Sequence, residues 1–187
     1  MRIEPARAED AEALTDLHLD VWDEAYGGLV EPTMLAARRA GRVERVERWR
    51  TIIEVGSSTN LLAWSGDRLV GFASTGPGRD SPGDALPPLE LMALYVRAST
   101  YGTGVGYALL QAAIGSAAAY LWVLDGNERA ARFYERQGFV FDGATKPEDV
   151  GLEAPNGPPE SLVRGRWEPE DRTGSMFARS IHEWTST

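Results

Sequence analysis

Two neighbouring stretches of the sequence carry residue types and spacings that could do chemistry. The first is LELMALYV, Leu89 to Val96, in which Glu90 is the only ionisable side chain of an otherwise apolar run. A carboxylate in such a setting is a candidate general base that takes a proton from a bound substrate. The same pattern also fits a solvated glutamate at a strand edge, so the sequence leaves both roles open.

The second stretch is YGTGVG, whose glycines at 102, 104 and 106 lie between that apolar run and a helical one. The free N–H groups of a first helical turn and the positive end of the helix dipole bind anions such as phosphate, and glycines let the backbone approach closely. A purely structural turn would also use small residues. The spacing is neither a dinucleotide fingerprint, which needs G-x-G-x-x-G, nor a P-loop, because no Gly-Lys-Ser/Thr follows.

Apolar spacing and Pro/Gly breaks predict the elements that must position these two stretches. Strands are predicted at RIEP, YLWVL, FVF and SLVRGRW, as a hairpin over Asn60 to Thr75, and as a buried central strand over Leu89 to Val96. Helices are predicted from Glu9, over about Glu31 to Ile53 with a break at Gly41, after the glycine turn, and from the cap Asn127 to the C-cap Gly138. Loops are predicted over Gly76 to Pro88 and Gly143 to Glu160. This order predicts a mixed sheet flanked by helices.

Composition limits the classes of protein that these elements can form. A chain of 187 residues with 43% hydrophobic and 25% charged residues is typical of one globular domain. Its net charge of −9 argues against a nucleic-acid partner and is compatible with a cationic small molecule or peptide. The absence of cysteine excludes disulfides, zinc–thiolate sites and cysteine nucleophiles. Neither a signal-peptide core nor an apolar run of about 20 residues is present, which predicts a cytoplasmic protein with no membrane partner.

The two blocks LYV…YGTGVG and, about 20 residues later, LWVLDGNERAARFYERQGF together resemble the GNAT family of acyl-CoA-dependent N-acyltransferases. The resemblance covers roughly Arg2 to Trp167. Six residues of the second block match the family pattern N-x-x-A-x-x-F-Y-x-x-x-G-F: Asn127, Ala130, Phe133, Tyr134, Gly138 and Phe139. The first block departs from the family at Tyr101, where Arg or Gln is usual, and at Ala98, where Pro is frequent. The missing basic side chain removes one phosphate contact, while the backbone N–H groups remain.

The resemblance implies a fold and a domain division. The expected fold is α/β (α+β), with a GNAT-like mixed, mostly antiparallel seven-stranded sheet flanked by about four helices. Residues 1–168 would form the acetyltransferase domain and residues 169–187 a C-terminal tail. Within the tail, Phe177, Ile181 and Trp184 are spaced as one helical stripe. The tail would therefore either dock on its own or a neighbouring subunit, as in a homodimer, or remain disordered.

The resemblance also implies a binding site for acetyl-CoA, with no metal. The backbone of Leu94, Tyr95 and Val96 would bind the pantetheine arm as an added strand, and Asn127 would reach the pantetheine or adenosine side while also capping its helix. The pyrophosphate would lie in a cradle formed by Tyr101, Gly102, Thr103, Gly104, Val105, Gly106 and Tyr107. Tyr134 would contact the thioester and protonate the leaving thiolate, although its spacing also fits a core aromatic.

The function implied is N-acetyl transfer from acetyl-CoA to a primary amine of a small molecule or peptide, by direct transfer in a ternary complex. Glu90 would act as the base, directly or through water. In this family the first two helices and the last strand connection wall the acceptor site. Four residues could then form an aromatic, partly acidic pocket suited to a cation, or belong to the core: Trp22, Asp23, Tyr26 and Trp49. The alternative function is a non-catalytic acyl-CoA sensor or interaction module on the same fold.

Overall fold

One seven-stranded sheet organises the chain in the computed structural model, which describes residues 1–28, 30–80, 86–147 and 161–169. The strands are β1 (Arg2–Pro5), β2 (Thr59–Ser65), β3 (Arg68–Pro77), β4 (Leu89–Val96), β5 (Ala119–Leu124), β6 (Val140–Pro147) and β7 (Ser161–Trp167). Their order is β1-β2-β3-β4-β5-β7-β6, and all neighbours are antiparallel except β4 and β5. The predicted mixed, mostly antiparallel sheet is confirmed, with β4 at its centre.

Within the described ranges, five α-helices flank the sheet: α1 (Ala11–Tyr26), α2 (Pro32–Ala40), α3 (Arg42–Val55), α4 (Val105–Ile114) and α5 (Glu128–Arg136). The count exceeds the expected four because Gly41 ends α2 and begins α3 as a shared cap, which makes two helices of the predicted region. Pro32 occupies the first turn of α2, where its missing N–H costs no hydrogen bond. No helix within the described residues is both long enough and apolar enough to cross a membrane.

Side-chain alternation along the strands decides which helix covers which face of the sheet. Leu62 and Phe72 are fully buried in a cluster with Leu14 and Leu17 of α1. Their neighbours along the strands point to the opposite face and pack against α4, in a cluster that contains Leu61, Ala63, Ala73, Val105 and Leu109. The sheet therefore lies between α1–α3 on one face and α4–α5 on the other, and side chains of β4 contact helices on both faces.

Two predicted loops begin later than their sequences suggested. The sequence FVF was predicted as a short strand that ends before Gly143, but β6 continues to Pro147. The reason is a register shift against β7 between Phe141 and Thr145, in which Gly143 takes a φ of +81°. A glycine that reads as a loop signal is here part of a bulge. Likewise β3 extends to Pro77 rather than Thr75. Residues 81–85 and 148–160 of these two loops and the tail from 170 lie outside the described residues.

An irregularity in β4 separates it from β5 at the middle of the sheet. Ser74 pairs with Ala93 while Thr75 pairs with Leu91, so Met92 is an extra residue on β4. Such a bulge bends a strand and increases its twist. The parallel pairing of β4 with β5 covers only Leu89 to Leu91 and then stops. Beyond that point one edge of β4 has no strand partner among the described residues, and its backbone groups are available to a ligand.

Candidate active site

Two cavities meet at the segment of β4 that has separated from β5. The first has a volume of about 340 Å³ and lies toward α4 and α5. The second, of about 970 Å³, lies toward α1, α3 and the β6–β7 hairpin. Both are lined by Tyr26, Leu91, Met92, Ala93, Tyr95 and Trp122. Molecules bound in the two cavities would therefore contact the same strand from opposite ends of one continuous site.

The glycine turn forms one wall of the first cavity. Gly102 and Gly104 adopt φ angles of +75° and +89°, which only glycine takes readily. Beside each of them, the space that a Cβ would occupy is open. The N–H groups of Val105, Gly106 and Tyr107 bond no backbone carbonyl of the described residues. An open cradle of N–H donors at the start of α4 fits a pyrophosphate group.

Arg129 brings positive charge to this cradle, and the sequence reading missed it. Its guanidinium carbon lies 3.9 Å from the centre of the Tyr101 ring, and both residues line the first cavity. Tyr101 stands where a basic residue is usual in the resembling family, and Arg129, in the first turn of α5, lies over its ring. The sequence signal was present, because Arg129 is two residues after the cap Asn127 and therefore at the same end of the helix.

Asn127 and Tyr134 lie on the α5 side of the first cavity. The Asn127 side-chain oxygen accepts a hydrogen bond from the Ala130 N–H at 3.2 Å, which confirms the cap. Tyr134 is only 8% exposed but lines the cavity. Burial, with a smaller contribution from Tyr26, raises the pKa of Tyr134 well above its usual value of 10.0. Its hydroxyl is therefore a protonated donor at neutral pH.

A pair of tyrosines, Tyr26 and Tyr95, lies at the junction of the two cavities. The hydroxyls of Tyr26 and Tyr95 lie 3.2 Å apart, so that one donates to the other. Burial raises the pKa of Tyr95 well above 10.0, and the nearby Tyr26 and Tyr134 add to that shift. Tyr95 also stacks on Phe72 with ring centres 5.6 Å apart, which fixes its orientation. The junction therefore contains a buried pair of hydrogen-bonded hydroxyl groups.

Glu90 lies at the wall of the second cavity and is 1% exposed. Its Oε2 atom accepts hydrogen bonds from Arg79 Nε at 2.9 Å, from the Arg79 backbone N–H at 3.1 Å and from the Tyr120 hydroxyl at 3.2 Å. The ion pair with Glu90 raises the pKa of Arg79 above its usual value, because the hydrogen bond to Glu90 outweighs desolvation. Glu90 is therefore not a solvated edge residue. It is a buried, oriented carboxylate.

Three of the four residues proposed for the acceptor pocket line the second cavity, namely Trp22, Tyr26 and Trp49. Asp23 is not among the lining residues, because it lies on the outer side of α1 and accepts a hydrogen bond from Arg39 Nε at 2.7 Å. Instead of an acidic wall, the cavity has a basic one. Its described lining contains Arg38, Arg45, Arg48, Arg79 and Lys146, against the acids Asp80 and Glu90.

His18 lies at the floor of the second cavity among aromatic rings. It contacts Phe72 and Tyr95 with ring centres 5.1 Å and 5.4 Å away, and also Trp22 and Trp49. Burial lowers the pKa of His18 to about 3, and the positive charges of Arg38, Arg45 and Arg48 contribute to this shift. The imidazole is therefore neutral across the physiological range and packs as an aromatic ring.

Comparison with known proteins agrees with this geometry. The model of the acetyltransferase (GNAT) family matches residues 16–139. A Mycobacterium tuberculosis protein named as a probable N-acetyltransferase is 28% identical over 148 residues, which are 78% of this chain and 83% of that protein.

Solved structures share the fold at low sequence identity. The PaiA N-acetyltransferase of Thermoplasma acidophilum, in complex with coenzyme A, superposes with a TM-score of 0.62 at 20% identity, over 89% of this chain and all of that one. A ribosomal-protein-alanine N-acetyltransferase of Brucella melitensis superposes with a TM-score of 0.61 at 24% identity, over 90% and 99% of the two chains.

Proposed function

The chain belongs to the acetyltransferase (GNAT) family, and from that premise we propose that it transfers the acetyl group of acetyl-CoA to a primary amine of a small molecule or peptide. Both substrates would be bound at once, and transfer would be direct. The observation that carries this proposal is the shared wall formed by β4. Tyr134 lies on one side of that wall and Glu90 on the other.

Acetyl-CoA would bind along the first cavity. The unpaired edge of β4 from Leu94 to Val96 would hydrogen-bond the pantetheine arm, and the turn from Tyr101 to Tyr107 would hold the pyrophosphate through N–H donors. Arg129 would add a charge-assisted contact, and Asn127 would contact the arm from α5. When bound, acetyl-CoA supplies an acetyl group activated as a thioester.

The acceptor amine must lose a proton before it can attack. An alkylamine with a pKa near 10.4 is neutral in only about one molecule in 10³ at pH 7. Glu90 is the base in this proposal, acting directly or through a water molecule, because its carboxylate lines the acceptor-side cavity and is held in one orientation by Arg79 and Tyr120. Orientation is as important as basicity for such a group.

Charge that develops during transfer needs two further partners. A backbone N–H of the Leu94–Val96 stretch would stabilise the negative charge on the acetyl oxygen, a type of contact worth about 3–4 kcal/mol where it has been removed from other enzymes. The Tyr134 hydroxyl would donate a proton to the departing sulfur. Its raised pKa keeps that proton in place until transfer.

A screen of amines with acetyl-CoA, read by the appearance of free thiol and by the mass of the acetylated product, tests this function. We expect turnover of at least one amine and a loss of that turnover in Tyr134→Phe. Saturable binding of acetyl-CoA with no turnover across small-molecule and peptide amines would overturn the proposal and favour a non-catalytic acyl-CoA sensor.

A further inference from the structure

The arginines of α2 and α3 differ in how their charges are balanced, depending on which way they face. Outside the cavity, Arg39 bonds Asp20 and Asp23, Arg42 bonds Asp16, and Arg50 bonds Glu47. Those that line the second cavity are Arg38, Arg45 and Arg48. Among the described residues, no carboxylate lies within salt-bridge distance of Arg45 or Arg48. The outward arginines are neutralised, while the inward pair is not.

The other cations of the cavity are already committed to acids. Arg79 pairs with Glu90, and Lys146 bonds Asp80 at 2.9 Å. Asp80 also accepts a hydrogen bond from the Trp122 indole at 2.6 Å. Both described acids of the cavity wall are therefore occupied, which leaves a surplus of positive charge on the α2–α3 side.

Local contacts hold this surplus charge in place. The Arg38 guanidinium carbon lies 3.4 Å from the centre of the Trp22 ring, a cation–π contact that fixes its plane. Arg45 Nε donates to the Arg38 carbonyl oxygen at 3.2 Å. Arg45 is half-buried at the wall, and Arg48, one turn further along α3, is exposed. These contacts orient Arg38 and Arg45, and Arg48 adds an exposed positive charge beside them.

The three arginines carry an electrostatic cost in the free protein. Desolvation and the neighbouring Arg48 lower the pKa of Arg45, and the three arginines together contribute to the low pKa of His18. The chain has 28 acidic residues and a net charge of −9, so that acids are abundant elsewhere. Arg45 and Arg48 have no acidic partner among the described residues, and positive charges of this kind in a cavity are stabilised when an anion binds there.

We propose that the acceptor is an amine that also carries an anionic group, a carboxylate or a phosphate, which Arg45 and Arg48 bind while the amine lies toward β4. This inference rests on the proposed function, since it names the acceptor class of that site. The planar fork of a guanidinium matches carboxylate and phosphate oxygens in a bidentate way. A cavity of about 970 Å³ has room for both ends of such a molecule. Polyamines and other purely cationic amines are excluded as preferred acceptors.

Matched substrate pairs test this class. We would measure kcat/KM at fixed acetyl-CoA for L-amino acids and their C-terminal amides, for O-phosphoethanolamine and ethanolamine, and for spermidine. The anionic member of the best pair should exceed its neutral partner by about tenfold or more. The comparison with amides is stringent, because the amine of an amino-acid amide has a lower pKa than that of the free amino acid. A larger fraction of it is therefore neutral and able to attack at neutral pH, which favours the amide in the absence of an anion site.

Charge-removing variants identify the residues responsible. Arg45→Gln and Arg48→Gln should each raise KM for the anionic acceptor by about 10- to 100-fold and so reduce the preference for it over its neutral partner. Arg48→Glu should reverse the preference within a pair. The matched control is Arg50→Gln, which removes a charge from the same helix outside the cavity and should leave all these ratios unchanged. Because Arg48 is exposed, its variants test the idea even where Arg45→Gln fails to fold.

Calorimetric titration of the CoA-bound protein with the same amines separates this inference from the proposed function. Anion-selective binding that is lost in Arg48→Gln, without turnover of any amine, would support the anion site and overturn the acetyltransferase proposal. Efficient turnover of spermidine or of the neutral amines, with no gain from an added anion, would support the acetyltransferase and overturn the anion site.

Discussion

The two cavities that meet at β4 are built in opposite ways. The first combines the backbone of one continuous stretch, in which a bulged strand leads through a glycine turn into α4, with side chains of α1, β5 and α5. The second is made of side chains from α1, α2, α3 and the last hairpin, which are distant in the sequence. One cavity offers N–H donors to any molecule with the right phosphates. The other offers a particular arrangement of charge and aromatic surface.

This difference shows how one site can keep the same acyl donor while its acceptor changes, because the two substrates would be bound by different kinds of group. A backbone cradle depends on φ angles and a helix start, so it tolerates a change such as Tyr101 as long as the glycines remain. A side-chain cavity can change its ligand through a few substitutions on the helices that wall it, without any change to the strand that both cavities share. We therefore expect substitutions in the first cavity to impair acetyl-CoA binding and substitutions in the second to impair use of the acceptor.

The largest effect should come from the cradle. Gly104→Val places a β-branched residue at a φ of +89° and puts its side chain into the open space beside the turn. A ligand at one hundred times its Kd stabilises the folded protein by about 2.7 kcal/mol, which raises the melting temperature. The increase that acetyl-CoA produces in the wild type should vanish in the variant. Thermal unfolding with and without acetyl-CoA measures it.

The matched control is Gly66→Val, in the turn between β2 and β3. Gly66 also has a positive φ, +59°, and open space at its Cβ position, but it lies outside both cavities. Both variants should lose a similar amount of stability through backbone strain, about 1–3 kcal/mol. Only Gly104→Val should lose the response to acetyl-CoA. A folded Gly104→Val protein with wild-type affinity would show that the cradle is elsewhere.

The next effect concerns the base on the acceptor side. Glu90→Gln should lower kcat/KM for a confirmed amine by about 10²- to 10³-fold near pH 7. The loss should shrink as pH rises, because the neutral fraction of the amine increases. A pH–rate profile of wild type and variant measures this. If the acidic limb is unmoved in Glu90→Gln, the carboxylate only holds Arg79 and Tyr120 in place.

Tyr134→Phe should have a somewhat smaller effect, confined to chemistry. We expect kcat to fall by about 10²-fold, the low end for a general acid, because a thiolate leaves readily even without a proton. The Kd of acetyl-CoA should hardly change, since the phenyl ring still fills the site. Tyr26→Phe, which removes the partner of the Tyr95 hydroxyl at the same junction, should keep kcat within a few-fold. Full kcat in Tyr134→Phe would assign the acid role to another group.

The smallest effect should come from the charge above the cradle. Arg129→Ala should raise the Kd of acetyl-CoA by about three- to tenfold and weaken its salt dependence, because one exposed charge-assisted contact is lost. Arg132→Ala is the control, since Arg132 lies on the same helix, bonds Glu128 and does not line the cavity. Equal effects of the two variants on the Kd of acetyl-CoA would indicate that the overall positive charge of the helix matters, rather than a direct contact between Arg129 and a phosphate.

The same contrast explains what the sequence could and could not predict. The order of the strands and helices along the chain, the break at Gly41, the cap at Asn127 and the role of Gly138 in ending α5 were predictable, because each depends on a local pattern. The extension of β6 past Gly143 was not, since only the pairing with β7 turns that glycine into a bulge.

The acceptor cavity was predicted only in part, for the same reason. Trp22 and Trp49 line the second cavity, whereas Asp23 does not, because its position on α1 depends on the packing of α2. Arg45 and Arg48 read as part of an ordinary charged helix face. Their orientation toward the second cavity is decided by how α3 packs against α1 and β3, which no local pattern encodes.

The most direct test of the central claim, that the two cavities form one site for direct transfer, is a two-substrate initial-rate experiment. Rates of thiol release would be measured at several fixed concentrations of one acetylated amine while acetyl-CoA is varied. Simultaneous binding predicts double-reciprocal lines that intersect, and no acetylated protein by mass spectrometry when the amine is omitted. Parallel lines together with a stable acetylated form of the protein would indicate a covalent intermediate and contradict the account.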